Sequence, residues 1–525
     1  MSFFGVQTSL ISREARHANG DRDRICGKTC GVGANQVSFI SASLQIQNGR
    51  QIQPLRIVLT GSPNVGVLME QLLKRARECA EALKKQDEIT VVSHVDADGL
   101  AAAGIICRAL NKMEIGNEIK IVKKLDLPVM QSVSGADAVM FTDLGSGSLD
   151  LMDDLGPVCI VADHHQPAGS SEMAFHLNPH LFGYNGATDL SGSGATYLIA
   201  RALGDNVELS DLAVVGAVGD LQHVREGRLR GVNRVILDEA EKNAIVRAEK
   251  DLQAFGRQTR PVHKLLEYAS SPFIPGITGN GAQILELLAS LNIELKEAGE
   301  WKRWVDLSSA ERRNIISALI QRCLTEGMPP ERVQSLVGEV YTLLKEEPGT
   351  ALRDASEYAT LLNATARYSF EKIGVDVCLG DRAGSYRKAN ELLLMHRENL
   401  ARGLNYVKQT GVTTLSNLQY FHAGDHIFET IVGIVAGMCK NLEGVDRHLP
   451  IIGFANSDDG VKVSARGSQS LVERHLNLAR AMGEAAHSVG GVGGGHDIAA
   501  GATIPEGTEA EFLKNLNKLV GQQLS

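Results

Sequence analysis

The feature that most constrains this chain is an alternation: from about residue 69 to residue 200, short β-rich apolar runs give way repeatedly to helical runs. An amphipathic helix opens the pattern, with Leu72, Leu73, Ala76, Cys79, Ala80 and Leu83 at helical spacing and Lys74, Arg75 and Lys84 on the outer face. Then come residues 89–93, a helix over about 100–111, residues 119–122, 138–142 and 158–162, and a helix opening at Ser193. Strands alternating with helices in this way predict an α/β fold with a parallel sheet covered on both faces. At roughly 150 residues per domain, 525 residues give three or four domains.

Three acid-rich clusters stand directly after three of the β runs: Ser93-His94-Val95-Asp96-Ala97-Asp98-Gly99, Thr142-Asp143-Leu144-Gly145 and Ala162-Asp163-His164-His165. Ligands of open α/β sheets bind outside the carboxyl ends of the strands, so all three clusters can converge on one crevice. Crowded carboxylates repel one another, and each must be protonated or paired with a cation. Divalent metal serves several at once. Asp96 and Asp98, alternating across a strand end, are expected to point to different sides, one toward each of two ions, with Asp143 bridging from the next strand. Oxygen ligands with one or two imidazoles and no thiolate favour Mn²⁺ or Mg²⁺ over structural zinc. Taken singly, an Asp after a strand is ordinarily a helix cap or turn residue. The register of three clusters, and two adjacent histidines after a buried strand, outweigh that plainer reading.

Composition sets limits on partners and setting. Lys and Arg number 53 against 62 Asp and Glu, a formal charge of −9, so a polyanionic partner must be held locally rather than by bulk charge. Cysteine is sparse, 8 in all, and Cys26-Gly-Lys-Thr-Cys30 has no second pair at zinc spacing, so no metal role is assigned there. The apolar stretch 431–439 is far short of the ~20 residues of a membrane span, and Met1-Ser2-Phe3-Phe4 lacks the basic region of a signal peptide. A cytoplasmic protein without a membrane partner is expected.

The chain divides into a poorly ordered N-terminal extension (1–66), the α/β domain with the acid clusters (67–235), a helical insertion (236–345), a helical connector (346–405) and a smaller C-terminal α/β domain (406–525). In the insertion, Ser308-Ser309-Ala310-Glu311 reads as a capping box. In the C-terminal domain, Asp458-Asp459-Gly460 reads as a hairpin turn, and a Gly-rich segment, 489–501, follows a helix around 471–486.

The set His94-x-Asp96-x-Asp98-Gly99, Asp143, Asp163-His164-His165 and Gly219-Asp220 resembles the four motifs of the DHH phosphoesterase superfamily. Leu362-Asn363-Ala364-x-x-Arg367 is similar to a segment of RecJ exonucleases, and Ser464-Ala465-Arg466-Gly467-Ser468 and Gly493-Gly494-Gly495-His496-Asp497 resemble substrate-binding segments of the DHH-associated C-terminal domain. The order and spacing resemble the archaeal RecJ-like branch, from about Met69 to the end with the helical region interposed. This resemblance implies two divalent cations, Mn²⁺ ahead of Mg²⁺, held by Asp96, Asp98, Asp143, His164 and Asp220. His94 either ligates or only lines the site, because pyrophosphatase-like members place their ligand histidine four residues before the first Asp rather than two. His165 is expected to face the scissile phosphate and Asp163 to orient the pair. Asn363, Arg367, Ser464, Arg466, Gly494, Gly495 and His496 are expected to hold the nucleotide.

Two further groups are candidates for substrate contact. Ser191 and Ser193, ahead of an apolar helix, offer N–H groups for a phosphate or form an ordinary N-cap. Trp301, Lys302, Arg303 and Trp304 either clamp a single strand or cap a helix bundle. The implied activity is a metal-dependent exonuclease degrading single-stranded DNA, or RNA, to mononucleotides from the 5′ end, in DNA replication or repair. The alternatives are a phosphodiesterase for short oligonucleotides or cyclic dinucleotides, and a replication scaffold that binds GINS through the inserted helices.

Overall fold

The computed structural model describes residues 63–525 apart from 153–154, 169–174, 270–272, 441, 443 and 525, together with four two-residue strand fragments between 38 and 59. The expected extension of residues 1–66, with Cys26 and Cys30, otherwise lies outside the described residues, except that the first helix, α1 (Pro63–Leu83), begins inside it.

The β runs become β1 (Glu88–His94), β2 (Gly116–Val122), β3 (Ala138–Thr142) and β4 (Val158–Ala162), joined by a short β5 (His176–Leu177). All pair in parallel, in the order β2-β1-β3-β4-β5. Strand β3 is buried along its whole length, as a central strand covered on both sides must be. Its alternate side chains serve two cores. Ala138 and Met140 pack with Val91 and Ile160 against helices including α1 and α2 (Ala97–Lys112). Val139 and Phe141 pack with Val92, Val161, Met130 and Leu149 on the other face. Ser93 lies opposite Thr142, and Thr142 opposite Ala162, so the carboxyl ends of three strands are level. The chain leaves β1 toward β2 on one side and returns to β3 on the other, which opens a crevice between the ends of β1 and β3.

Helices α3 (Gly192–Leu203), α4 (Ser210–Gly219) and α5 (Gly231–Lys242) close this region. The insertion is entered and left through an antiparallel ribbon of β6 (Val246–Leu252) and β7 (Val337–Leu343). The ribbon departs from the helical insertion expected here: β6 carries charges at Arg247, Glu249 and Lys250, on residues its ribbon leaves largely exposed, and such charges equally suit a helix surface. Between the two strands, α6 (Val262–Glu267), α7 (Gly281–Ser290) and α8 (Ser309–Thr325) surround a separate core that includes Leu265, Ile284, Trp304 and Leu319. The capping box at Ser308 is present.

Helices α9 (Ala355–Arg367), α10 (Glu371–Leu379) and α11 (Gly384–Thr410) lead to a six-stranded C-terminal sheet. Its strands β8 (Thr413–Thr414), β9 (Gln419–His422), β10 (Ile451–Ser457), β11 (Gly460–Arg466), β12 (Val492–Gly495) and β13 (Ala499–Ile504) run in the order β8-β9-β10-β11-β13-β12. The expected hairpin joins β10 to β11, with Ser457 opposite Gly460. The Gly-rich segment is not a loop throughout: Gly494 pairs with Gly501 and Gly495 with Ala500, because the buried Ala500, Ala502 and Ile504 anchor β13 to the core. Helix α12 (Val432–Cys439) is the apolar stretch noted above, and the later helix starts only at Leu478, since His475 sits at φ +74°. Among the described residues no helix is long and apolar enough to cross a membrane.

Gly104 marks a close helix contact near the sheet: a Cβ there would collide with Cys378, where α2 meets α10. Gly104→Ala is therefore expected to destabilise the protein by about 1–3 kcal/mol, as overpacking does, measured by urea denaturation; an unchanged midpoint would contradict the close packing of α2 on α10.

Candidate metal centre

Strand β1 ends at His94, and the backbone turns at once into α2. Asp96 caps that helix, its Oδ1 accepting from Gly99 N at 3.0 Å. Asp98 lies in the first turn and is fully buried. The two aspartates therefore do not alternate across a strand end, as the spacing suggested; the helix begins between them and sends Asp98 inward. There Gly192 N and Ser193 N, the first N–H groups of α3, donate to its oxygens at 2.6 and 3.1 Å. Asp143 follows β3 in a left-handed conformation (φ +58°) with a 1% exposed side chain. Asp163 follows β4, and Asp220 caps the C-terminus of α4.

These side chains meet. His164 Nε2 lies 3.2 Å from Asp143 Oδ1, 3.2 Å from Asp220 Oδ2 and 3.9 Å from Asp98 Oδ2. His94 Nδ1 lies 2.9 Å from Asp96 Oδ2 and 3.4 Å from Asp143 Oδ2. Three groups result, Asp98/Asp143/His164/Asp220, His94/Asp96/Asp143 and Asp143/Asp163/His164/His165, and Asp143 belongs to all three; Asp163 in the third is already held by hydrogen bonds, which leaves Asp96, Asp98, Asp143 and Asp220. Despite these approaches, His94 Nδ1, both Asp143 oxygens and His164 Nε2 are buried with no hydrogen-bond partner. Among the described residues no lysine or arginine forms an ion pair with these four aspartates.

The electrostatics report the same deficit of positive charge. Burial, then the charges of Asp143 and Asp220, push Asp98 well above the usual carboxylate range. Burial also raises Asp220. For Asp143 burial acts in the same direction, but His164 and His94 overrule it and hold the carboxyl well below its ordinary value. Burial disfavours the His94 cation, yet Asp143 and Asp96 push it up to about 11. Protons on imidazole and carboxyl thus do work that a cation can do better.

The donor set fits divalent cations. Ligands about 2.1 Å from one small cation and at right angles are about 3 Å apart, close to the separations here. His164 Nδ1 lies 2.7 Å from the carbonyl of Gly186, which can only accept, so Nδ1 carries a proton, and Nε2, which faces the carboxylates, is the nitrogen that would ligate a cation once its own proton is displaced. Asp163 is different: it accepts from Ser146 N, His164 N, His165 N and the His165 ring; burial alone would raise its carboxyl, but the bond from the His165 ring, with the charges of His165 and His164, holds it below the ordinary value. It positions the two histidines, leaving the His165 ring half exposed.

Several positions carry no sequence pattern that would mark them. A Cβ on Gly192 would strike Asp143, one on Gly216 would strike Asp98, and one on Gly186 would strike the His164 carbonyl. Gln222 Nε2 donates to Gly186 O at 2.9 Å, and Asn233 Nδ2 to Gln222 Oε1 at 2.6 Å, bracing the same loop. Only Gly192, within Ser191-Gly192-Ser193-Gly194, stood in a noticed run.

The expected substrate residues divide. Ser191 and Ser193 are fully buried, Ser191 caps α3 through Gly194 N, and the next N–H groups serve Asp98. The phosphate cradle is corrected to an internal support. Asn363 Oδ1 accepts from Ala97 N at 3.1 Å and so fixes the first turn of α2. Arg367, at the end of α9, donates from Nη1 to Thr430 O at 2.8 Å while its buried Nε has no partner; its charge acts on Asp96 from one side and meets Arg466 from the other. Arg466 ends β11, and Gly433 in α12 leaves room for it and for Ser464. Register puts Arg466 level with Ala499 and Gly495 opposite Ala500, so the exposed Gly494, Gly495 and His496 turn lies at the same end of the sheet. Trp304 belongs to the insertion core, its Nε1 donating to Asp251 at 3.0 Å, whereas Trp301 is 44% exposed under the Lys296 ammonium.

Comparison with known proteins agrees with this architecture segment by segment. Residues 88–218 match the DHH family N-terminal domain, residues 254–337 the DHH-CID domain and residues 416–522 the DHHA1 domain. The uncharacterized protein MJ0831 of Methanocaldococcus jannaschii is 29% identical over 470 residues, covering 87% of this chain and all of that protein. The single-stranded-DNA-specific exonuclease RecJ of Thermus thermophilus is 24% identical over 288 residues, which span 49% of this chain and 41% of RecJ. The crystal structure of that RecJ with Mn²⁺ superposes with a TM-score of 0.53 at 17% identity, covering 86% of this chain and 55% of RecJ. CDC45 from Entamoeba histolytica superposes with a TM-score of 0.60 at 12% identity, covering 87% of this chain and 99% of CDC45. At such identities the two superpositions speak for the fold alone. With its DHH, DHH-CID and DHHA1 domains in this order, the chain is a RecJ-like member of the DHH superfamily.

Proposed function

We propose that this chain is an exonuclease that hydrolyses phosphodiester bonds of single-stranded DNA, and of RNA as a second substrate, to mononucleotides from the 5′ end, in DNA replication or repair. The DHH domain and the similarity to RecJ support a metal-dependent phosphoesterase. The observation that carries the reading further is the cluster of buried, unpartnered ligand atoms of His94, Asp143 and His164 at the end of the sheet. Asp98, His164 and Asp220 would hold one divalent cation and His94 and Asp96 a second, with Asp143 common to both, and Mn²⁺ preferred over Mg²⁺. Such cations supply Lewis acidity, making water nucleophilic at neutral pH and neutralising the phosphodiester oxygens.

The protein's own groups do the rest. The α3 N–H groups fix Asp98, and Asn363 fixes the turn before it. Asp163 holds the Nδ1 edge of His165 at 2.8 Å, which orients the exposed ring to donate from Nε2 to a phosphoryl oxygen. Asp163, more than the opposing effect of burial, also raises the His165 pKa, favouring the charged donor. Arg367 and Arg466, from α9 and β11, supply the positive charge that draws a phosphodiester to an otherwise acidic site.

A second reading has one observation in its favour: the CDC45 superposition, with TM-score 0.60, spans nearly the whole of that protein. On that reading the chain is a replication scaffold that binds GINS. The complete set of ligand side chains favours an enzyme, with any such binding as an added role.

Two outcomes test the proposal. Mn²⁺ at a hundred times its dissociation constant is expected to stabilise the wild type by about 2.7 kcal/mol, read as a rise in Tm, and to leave Asp143→Asn, which tolerates the left-handed backbone, without response; equal responses would place the metal elsewhere. With end-labelled single strands, mononucleotides are expected with Mn²⁺ and none with EDTA; Asp143→Asn should abolish release and Asp163→Asn should slow it by about 10–100-fold. Absence of mononucleotide release with every divalent ion would refute the exonuclease.

A further inference from the structure

Where the insertion meets α11, two guanidinium groups lie together with too little negative charge between them. Arg260 stands over the Phe255 ring at 4.9 Å and over Tyr268 at 5.3 Å, and Arg397 stands over the same Phe255 ring at 5.3 Å. Among the described residues, Arg260 has no carboxylate at ion-pair distance and its side chain makes no hydrogen bond. Arg397 Nε is buried and unpartnered, its Nη2 reaches Thr259 Oγ1 at 3.3 Å, and Glu357 Oε2 is 3.8 Å away. Glu357 cannot neutralise both: it already accepts from Gln258 N and Thr259 Oγ1, and burial, with Asp354, raises it to about 7. Burial and the charge of Arg397 lower Arg260 to about 10.

The arrangement is built rather than incidental. Gly256, at φ +97°, leaves no Cβ where the Arg260 stem passes, and its carbonyl accepts from Arg260 N at 2.8 Å. Aromatic rings hold both guanidiniums without using their donors, which leaves N–H groups of Arg260 and the Nε of Arg397 to donate to a ligand. Both arginines are partly exposed, and Tyr268 beside them is 54% exposed, so the pair reaches solvent. Like charges half withdrawn from water are costly to hold together, and a phosphoryl group removes the cost while accepting from both forks. Arg397 follows His396 in α11, and burial with the charges of Arg367 and Arg397 holds His396 down to about 4.

We infer that Arg260 and Arg397 form a phosphate-binding site at the seam between the insertion and α11, distinct from the metal centre. Its ligand is a phosphoryl group, either a phosphodiester of a bound strand or a free phosphate, and the site does not depend on hydrolysis.

The test uses the full chain in EDTA, comparing wild type with Arg260→Gln and Arg397→Gln. In one arm, inorganic phosphate is titrated against chloride of equal ionic strength and Tm is read. In the other, a fluorescent single-stranded 20-mer and a dinucleotide are titrated across a salt series. If a strand is the ligand, each variant binds the 20-mer about 5–10-fold more weakly, its salt slope falls by about 0.7 for the lost phosphate contact, and the dinucleotide is unaffected. If free phosphate is the ligand, phosphate raises the Tm of wild type and not of the variants, while strand affinity is equal. As a measurement needing no variant, phosphate or the 20-mer should protect Arg260 and Arg397 from phenylglyoxal in the wild type. Wild-type behaviour of both variants in both arms, or no protection, overturns the site. Failure of Mn²⁺-dependent hydrolysis would sink the proposed exonuclease and leave this result standing.

Discussion

Everything near the carboxyl end of the sheet follows from one electrostatic constraint: the buried Asp98 and Asp143 and the partly buried Asp220 lie within reach of one another, and among the described residues no lysine or arginine pairs with them. Burying several carboxylates is among the most expensive arrangements a protein can adopt unless positive charge accompanies them. Here the charge comes from His164 and His94, each pushed well above the ordinary histidine range by the carboxylates it faces. The surrounding fold then becomes intelligible as support. Asp98 is fixed by the first N–H groups of α3, where the helix dipole favours an anion. Glycines at 186, 192 and 216 let main chain approach so closely that any side chain would break the cluster.

The topology brings the constraint about. Because β1 has β2 on one side and β3 on the other, the ends of β1 and β3 face a crevice that neither connection covers, and His94, Asp96 and Asp143 occupy it. Connections from β4 and α4 add His164 and Asp220. The C-terminal sheet contributes a positive charge, Arg466, which lies close enough to Arg367 of the connector for the two charges to act on each other.

Much of this was legible in the sequence. The strands at 138–142 and 158–162 are bounded as expected because both are short, apolar and flanked by turn residues, and the acid clusters mark their ends. The conformation of Asp96 and Asp98 was not legible: spacing of two fits a strand, and only the capping bond from Gly99 N reveals that the helix has already begun. The phosphate role given to Ser191 and Ser193 failed for a related reason, since a helix N-terminus attracts anions of any origin and here the anion is Asp98. Gln222, Asn233 and Gly216 left no trace, because a brace and a close approach depend on neighbours distant in the chain. The ribbon of β6 and β7 was obscured by surface charges that equally suit an exposed helix face.

The central claim is that these side chains gather about a pair of divalent ions. Anomalous diffraction from crystals of the full chain grown with Mn²⁺ tests it most directly. Two peaks are predicted, one among Asp98, His164 and Asp220 and one beside His94 and Asp96, both within coordination distance of Asp143. No peak at these residues, or a metal bound only elsewhere, would contradict it.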